Sequence, residues 1–512
     1  MVDLQEVPTQ TRHKGIKKSF YLGIGLFLLI YAFSWFPALL PANLSSSAVR
    51  MLALTVLVAI FWVTETIPIP ATSIIPLFLL PFLGIMPSKE VAVSYGSDIV
   101  LLFMTGFFIA IAIEKWNLHR RIALHIIHFI GVQPHRIALG FMMATALISM
   151  WISNTATTLM MLPIAAAVIK EVTGDNLDER LQKRFGTVLM LGIAYGASIG
   201  GVGTPVGSPP NLIFLAQMQK VFPDRAPITF FQWMLIGIPI VFILMPLAWW
   251  YLTHISMKLP KRFTEDARTT MEAEFQSLGR MRNTERVVAI LFALTAFLWI
   301  FRADISFGTF VLPGWAGLLG LSKFVEDTTV AATIAVLMFL LPVRTEEGRI
   351  VNLLTWDDAV QIPWGILLLF GGGLAISDGF AKSGLSEYMA SSLQIGLQGT
   401  SVVLMLVGIC TFMTFLTEVT SNTAVTTLMM PILATTAPAL NIDPIILMWP
   451  AAISASFAFM LPVGTPPNAI VYSQGYFPIS TMAKTGFVMN ITGIILVTGL
   501  MYYIVLPMMG LT

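Results

Sequence analysis

Apolar runs of roughly 18 to 25 residues recur along the whole chain, separated by short polar segments. Eleven of them fit membrane spans, at 20–40, 49–67, 70–86, 98–116, 184–220 (interrupted), 232–252, 285–301, 327–342, 362–382, 443–475 (interrupted) and 484–508. Two further apolar stretches, 138–170 and 401–437, break this pattern. Each is too long for one span and carries the polar tetrapeptide Ser-Asn-Thr-Ala at its middle, as Ser153–Ala156 and Ser421–Ala424. Each is therefore expected to be a re-entrant hairpin, entering and leaving on the same side. The pattern predicts an all-α polytopic membrane protein of about 11 transmembrane helices plus two re-entrant hairpins. The first run follows Arg12, His13, Lys14, Lys17 and Lys18, yet no small-residue cleavage site follows it. It is read as a retained membrane helix.

The polar interruptions come in matched pairs. Pro205–Asn211 reads PVGSPPN and Pro462–Asn468 reads PVGTPPN. Hairpin, then broken helix, thus occurs twice. The chain divides into an N-terminal tail and first helix (1–48), a first repeat (49–254), a charged cytoplasmic linker (255–284) and a second repeat (285–512). Each repeat holds five crossings and a hairpin. Five is odd, so the two repeats have inverted topology, the signature of secondary transporters with a site between the repeats.

Composition agrees with a lipid environment: 56% of residues are hydrophobic and only 11% charged. The placement of charge says more than the net +2. With the N-terminus cytoplasmic, 22 of the 29 lysines and arginines fall inside and 7 outside, which favours this orientation and puts the C-terminus outside. The single cysteine, Cys410, excludes an internal disulfide. No nucleophile–base pair or metal-ligand cluster is visible, so an enzyme is disfavoured. An anion channel could use the same helix dipoles, but paired occluding hairpins argue against it. No nucleic-acid partner and no organic cofactor are expected.

The motifs carry the chemistry. Ser, Asn and Thr begin helices because their side chains satisfy free backbone N–H groups. The outgoing helix of each hairpin therefore starts at its motif, with its positive dipole end in mid-membrane, where it can receive a carboxylate or another anion. Glycine and three prolines within seven residues break a helix and leave a second pair of helix ends nearby. No lysine or arginine lies in or beside these motifs, and Glu418 is the only charged residue in 411–437. An anion held by dipoles and hydroxyls needs extra positive charge, which a bound cation would supply. Neutral oxygen ligands suit Na⁺ better than a transition metal. Ser149 and Thr417 each precede the motif serine by four residues, on the same helix face, so their hydroxyls can point at the same cation.

Both SNT motifs, both proline–glycine loops and TETIPIP (Thr64–Pro70) resemble the divalent anion/sodium symporters, including the INDY-like Na⁺-coupled di- and tricarboxylate carriers. The likeness covers nearly the whole chain. It implies a homodimer in the plasma membrane (the inner membrane in a bacterium), with scaffold and moving transport domains in an elevator mechanism. It implies at least two Na⁺ sites: one of Ser149, Ser153, Asn154 and Gly207, the other of Thr417, Thr420, Asn422 and Gly464. It implies substrate contacts from Asn154, Thr155, Ser208, Ser421, Asn422, Thr423, Thr465 and Pro466. The expected cargo is a C4 dicarboxylate such as succinate, malate or fumarate, or citrate. A Na⁺-independent exchanger and a sulfate-type symporter are the alternatives. Exchangers of the family carry a basic residue near a tip motif, and none stands here.

Other features weigh less. Glu418, an intramembrane acid, is either functional or a hydrogen-bonding brace. Glu65 and Asp378 are expected to cap or brace helix ends. His119, His125, His128 and His135 lie in an Arg-rich stretch and read as an interfacial amphipathic connector rather than a metal site.

Overall fold

A computed structural model of the chain describes residues 18–41, 43–131, 133–173, 179–260, 275–276, 278–307, 310–345, 348–397, 399–508 and 510. Much of the expected linker, 261–274, lies outside them. The described chain is mostly helical. Six of its helices are long and apolar enough to cross a membrane: Ser46–Thr64, Ser88–Lys115, Phe230–Ser256, Asn283–Ile300, Trp364–Ser383 and Ile479–Met508.

Two expected spans come out shorter. The first helix runs Lys18–Phe33 and gives way to a turn and a 3₁₀ segment, Pro37–Leu39. Pro37 and Pro41 cannot continue a helix. The stretch expected as 70–86 is two short helices, Ile69–Thr72 and Ile75–Phe82, separated by a two-residue kink. Together they rise only about 20 Å, short of the bilayer core. The all-α expectation also misses two small β-hairpins in the second half. Ile305–Phe307 pairs with Phe310–Leu312, and Pro342–Arg344 with Ile350–Asn352. Both are tight reversals between helices, where strand pairing satisfies backbone groups that no helix covers.

Element order repeats between the halves. A long helix (46–64, 283–300) comes first, and a helix ending before a connector (98–115, 364–383) follows. The connector helices are Leu118–Ile130 and Leu385–Leu397. Next comes a hairpin, then a broken helix, then the closing helix (230–256, 479–508).

The first connector is amphipathic, as its sequence predicts: Ala123, Leu124 and Ile127 are buried along one face. Its Arg121 is not solvated. Arg121 Nε lies 2.6 Å from the Glu285 carboxylate, and its Nη atoms donate to the carbonyls of Leu278 and Gly279. This buried pair anchors the connector to the start of helix 283–300. His128 stacks on Phe275 with ring centroids 4.1 Å apart, and His119 is buried within the fold.

A glycine seam sets the hairpin against the broken helix. Gly192, Gly196 and Gly200 recur every fourth residue on helix Glu179–Gly201. A Cβ on Gly196 would stand 2.9 Å from the Met142 carbonyl oxygen, and one on Gly200 only 2.3 Å from that of Ala146. Backbones therefore touch along helix Pro134–Ser149, the close approach that small residues permit in membranes. The seam brings Ser149, at the end of the incoming hairpin helix, level with the break.

Gly200→Val forces this seam apart and is expected to cost on the order of 1–3 kcal/mol, the range for overpacking. Gly499→Val is its control, since nothing lies within 4 Å of a Cβ there. Thermal unfolding in detergent should show a clear drop for the first and a much smaller one for the second.

Candidate functional site

The hairpins form as the motifs dictate. Helix Pro134–Ser149 leads in, four residues turn, and helix Asn154–Thr173 leads out. The second hairpin is Val402–Thr417 followed by Asn422–Ala439. Each outgoing helix starts on the motif asparagine, one residue after the serine. Ser153 Oγ accepts from the Ala156 N–H at 3.3 Å, as an N-cap should. Ser421 occupies the same place without a side-chain capping bond.

The broken helices are Glu179–Gly201, a 3₁₀ turn Pro205–Gly207 and Pro209–Val221, then Pro444–Ala455 and Pro466–Tyr472. Packing crosses between the halves. Helix 209–221 lies on the outgoing hairpin helix 422–439, and helix 466–472 lies on 154–173. Ser208 Oγ and Ser456 Oγ are 3.0 Å apart, and the Tyr195 hydroxyl donates to the Phe459 carbonyl at 3.4 Å. Both tips and both breaks thus belong to one packed assembly.

At the first tip, Ser149 Oγ donates to the Ala197 carbonyl at 2.8 Å. The Asn154 amide faces the carbonyls of Ala197 and Gly207, which can only accept, so its nitrogen points toward them. It then donates to Ser149 Oγ at 2.6 Å and to the Gly207 oxygen at 3.2 Å. Around Gly207 three carbonyls converge. A Cβ there would lie 2.7 Å from the oxygen of Gly201 and 2.9 Å from those of Ser149 and Met150. Only glycine lets these oxygens approach. Ser149, Asn154 and Gly207 are therefore gathered at one place, while Ser153 caps the outgoing helix beside them.

The second tip repeats the scheme. Thr417 Oγ1 contacts the Asn422 amide and donates to the Ala455 carbonyl at 3.1 Å. Thr420 Oγ1 donates back to the Leu416 carbonyl at 2.7 Å, so its hydroxyl is occupied within the hairpin. Gly464 lies against Glu418, whose Oε2 and backbone oxygen would be 3.2 and 3.3 Å from a Cβ there.

Of the residues expected at the substrate, Asn154, Thr155, Ser421, Asn422 and Thr423 are half-buried at the tips, while Ser208 and Thr465 are buried at the breaks. Pro466 is exposed. Thr465 Oγ1 accepts from the Asn468 N–H and so caps its half-helix. The halves differ in cover. Val206 and Ser153 sit in a crevice lined by Phe103, Phe107, Trp151 and Phe292, whereas Val463 is 73% exposed.

Glu418 is a brace. Its carboxylate accepts from the N–H groups of Phe459, Met460 and Leu461 at 2.8–3.1 Å and from Asn490 Nδ2 at 2.7 Å. These are the free donors of the second break. Asp378 braces helix ends, as expected: it lies 2.6 Å from Lys220 and accepts from Ser94 Oγ at 2.7 Å, residues in the last turns of helices 209–221 and 88–95.

Sequence reasoning missed Asn211 and Asn468, the last residues of the two loops. Asn211 Nδ2 donates to the carbonyls of Gly201 (2.9 Å) and Thr204 (2.8 Å). Asn468 Nδ2 donates to those of Ala458 (2.9 Å) and Leu461 (3.0 Å). Both side chains are wholly buried. The signal was present in the fixed spacing between loop proline and loop asparagine.

A helical membrane protein whose paired hairpins and broken helices gather oxygen ligands at their ends is built as a membrane transport protein. The family follows from the sequence. The model of the sodium:sulfate symporter transmembrane region matches residues 21–509, and the chain belongs to that family. A sodium-dependent dicarboxylate transporter, SdcS, of Staphylococcus saprophyticus is 42% identical over 475 residues, covering 92% of this chain and 89% of that protein. SdcS of Staphylococcus aureus strain MRSA252 is 40% identical over 494 residues, covering 96% and 91%. Among solved structures, the YdaH transporter of Alcanivorax borkumensis aligns with a TM-score of 0.58 at 14% identity, over 95% of this chain and 99% of that one. MtrF of Neisseria gonorrhoeae aligns at 0.54 and 13%, over 95% of each. At such identities these two speak for the fold alone.

Glu418→Gln keeps the size of the brace but turns an amide nitrogen toward backbone donors. Leaving buried groups unsatisfied costs about 1–3 kcal/mol each. The variant should show a markedly lower melting temperature in detergent, and an unchanged one would contradict the bracing role.

Proposed function

We propose that this chain is a secondary transporter that moves a C4 dicarboxylate together with Na⁺. The observation that carries the reading is the matched pair of tips. At each, a hydroxyl one turn before the motif (Ser149, Thr417) meets the motif asparagine (Asn154, Asn422) and a carbonyl at the end of a broken helix. Two nests of hydroxyl, amide and carbonyl oxygens, the second with the Glu418 carboxyl group beside Gly464, suit a small hard cation such as Na⁺. The relatives named as sodium-dependent dicarboxylate transporters support the same coupling and cargo.

In this reading one Na⁺ rests near Ser149, Ser153, Asn154 and Gly207, and a second near Thr417, Thr420, Asn422 and Gly464. The substrate carboxylates meet the N-terminal ends of the outgoing hairpin helices at Asn154, Thr155, Ser421, Asn422 and Thr423. Ser208, Thr465 and Pro466 border them from the breaks. No lysine or arginine stands in these motifs, so the cations offset the carboxylate charge, and anion and Na⁺ bind as a neutralised unit. That is the physical basis of coupling: each ligand raises the affinity for the other.

The repeated element order supports two inverted repeats, and the distribution of lysine and arginine supports a cytoplasmic N-terminus and an outside C-terminus. The hairpins and broken helices form the moving transport domain. Helices such as 46–64 and 364–383 form the scaffold, in a plasma-membrane homodimer working as an elevator.

Purified protein in proteoliposomes should take up succinate several-fold faster with an inward Na⁺ gradient than without one. Equal uptake in both, or uptake that requires internal dicarboxylate and ignores Na⁺, would sink the coupling. In a competition panel succinate, malate and fumarate should displace one another and sulfate should not. Asn154→Ala and Asn422→Ala should each abolish transport while still reaching the membrane, and wild-type rates in either would refute the site.

A further inference from the structure

The two loops PVGSPPN and PVGTPPN contain a compensation between their first and last residues. In a continuous helix the carbonyl of residue i accepts from the N–H of residue i+4. The partner of the Gly201 carbonyl would be residue 205, and that of the Ala458 carbonyl residue 462. Both are proline, which has no N–H. Each orphaned carbonyl receives a side-chain donor instead. Asn211 Nδ2 reaches Gly201 at 2.9 Å, and Asn468 Nδ2 reaches Ala458 at 2.9 Å. The second proton of each amide goes to a carbonyl within the break, Thr204 or Leu461, while the asparagine itself stands on the half-helix beyond it. The asparagine therefore spans the break and ties both of its edges.

What it ties borders the candidate cation nests. The Gly201 oxygen is one of the three that converge on Gly207. Thr204, the other anchor, donates through its own hydroxyl to the Met150 carbonyl, a second of the three. In the other half, Ala458 lies against Gly464, with its Cβ 3.2 Å from the position a Cβ would take there. Glu418 takes the N–H groups of 459 to 461, while Asn468 takes carbonyls 458 and 461.

We infer that Asn211 and Asn468 are positioning residues that hold each helix break in its cation-ready shape when no cation is bound. They contact neither ligand; they act through the carbonyls they fix. Without the amide donor, the loop must order itself at the moment of binding, and the cost falls on cation affinity. The inference rests on the Na⁺-coupled reading above and adds a role that is separable from it.

The test is the Na⁺ dependence of succinate uptake in proteoliposomes for wild type, Asn211→Leu, Asn211→Ser, Asn468→Leu and Asn468→Ser. Leucine matches asparagine in size and has no donor, while serine keeps a single donor. The leucine variants should need roughly tenfold more Na⁺ for half-maximal uptake, about 1.4 kcal/mol and within the range for the two hydrogen bonds each asparagine donates. Their maximal rate at saturating Na⁺ and succinate should stay within about twofold of wild type, and the serine variants should fall in between. A purely structural role would lower the maximal rate without moving the Na⁺ curve, and that result would overturn the inference. So would wild-type Na⁺ curves in the leucine variants. If a leucine variant does not reach the membrane, its serine counterpart decides: a shifted Na⁺ curve upholds the inference and an unshifted one overturns it. A wild type indifferent to Na⁺ would instead overturn the functional reading, and this inference with it. A Na⁺-dependent wild type beside unshifted variants overturns only the inference.

Discussion

In hydrocarbon every backbone N–H and C=O must find a partner, because no water can supply one. This constraint governs the whole site. A transporter of this architecture needs helix ends in mid-membrane, since those ends carry the dipoles and free oxygens that recognise ions. Each end it creates frees backbone groups that must be satisfied by something other than the ligand, or the empty protein could not fold. The broken helices meet that demand with side chains. Asn211 and Asn468 take the freed carbonyls, and Glu418 takes the freed amides of the second break.

The same constraint explains why the two halves are alike without being equal. Glu418 has no counterpart in the first half, where Met150 follows Ser149 as Glu418 follows Thr417. There the Val202 and Gly203 N–H groups turn back to Ile199 and Gly200, and the Met150 carbonyl accepts from Thr204. One break is therefore closed by its own backbone and the other by a carboxylate and Asn490. The Glu418 carboxyl group accepts from three backbone donors and one amide. Hydrogen bonds of this number are how an acid can sit in the membrane interior. Glu418 also makes the electrostatic surroundings of Gly464 differ from those of Gly207, a difference that the repeat of the sequence motifs conceals.

Much of this was legible before any coordinates. The hairpins announced themselves as apolar stretches too long for one span with a polar word at the centre, and helices do begin at Asn154 and Asn422. The two proline–glycine loops marked the breaks. What escaped was of two kinds. Some signals were local but unread: the Gly192, Gly196, Gly200 spacing that seats the hairpin, and the Asn that follows each loop proline at a fixed distance. Others were not local at all. Glu418 binds N–H groups more than 40 residues away, and Asp378 binds Lys220 and Ser94 from other helices. No periodicity encodes such contacts, because only tertiary packing brings the partners together. The small β-hairpins at 305–312 and 342–352 failed for a related reason: strands of three residues are too short to establish an alternation.

The loop motif can now be read as chemistry rather than as a string. Its first proline supplies no N–H, so the carbonyl four residues earlier has no helical partner to regain. Its glycine leaves room for neighbouring carbonyls to close in. Its Ser or Thr stands at the start of the next half-helix, and the proline pair begins that half-helix at no hydrogen-bonding cost. Its asparagine then supplies the donor that the first proline lacks, but from a side chain, so the carbonyl is satisfied while the backbone stays open. Each residue is needed because of another in the same seven. That mutual dependence gives a physical reason for the two halves, which differ through most of their length, to carry the loop with six of seven residues the same.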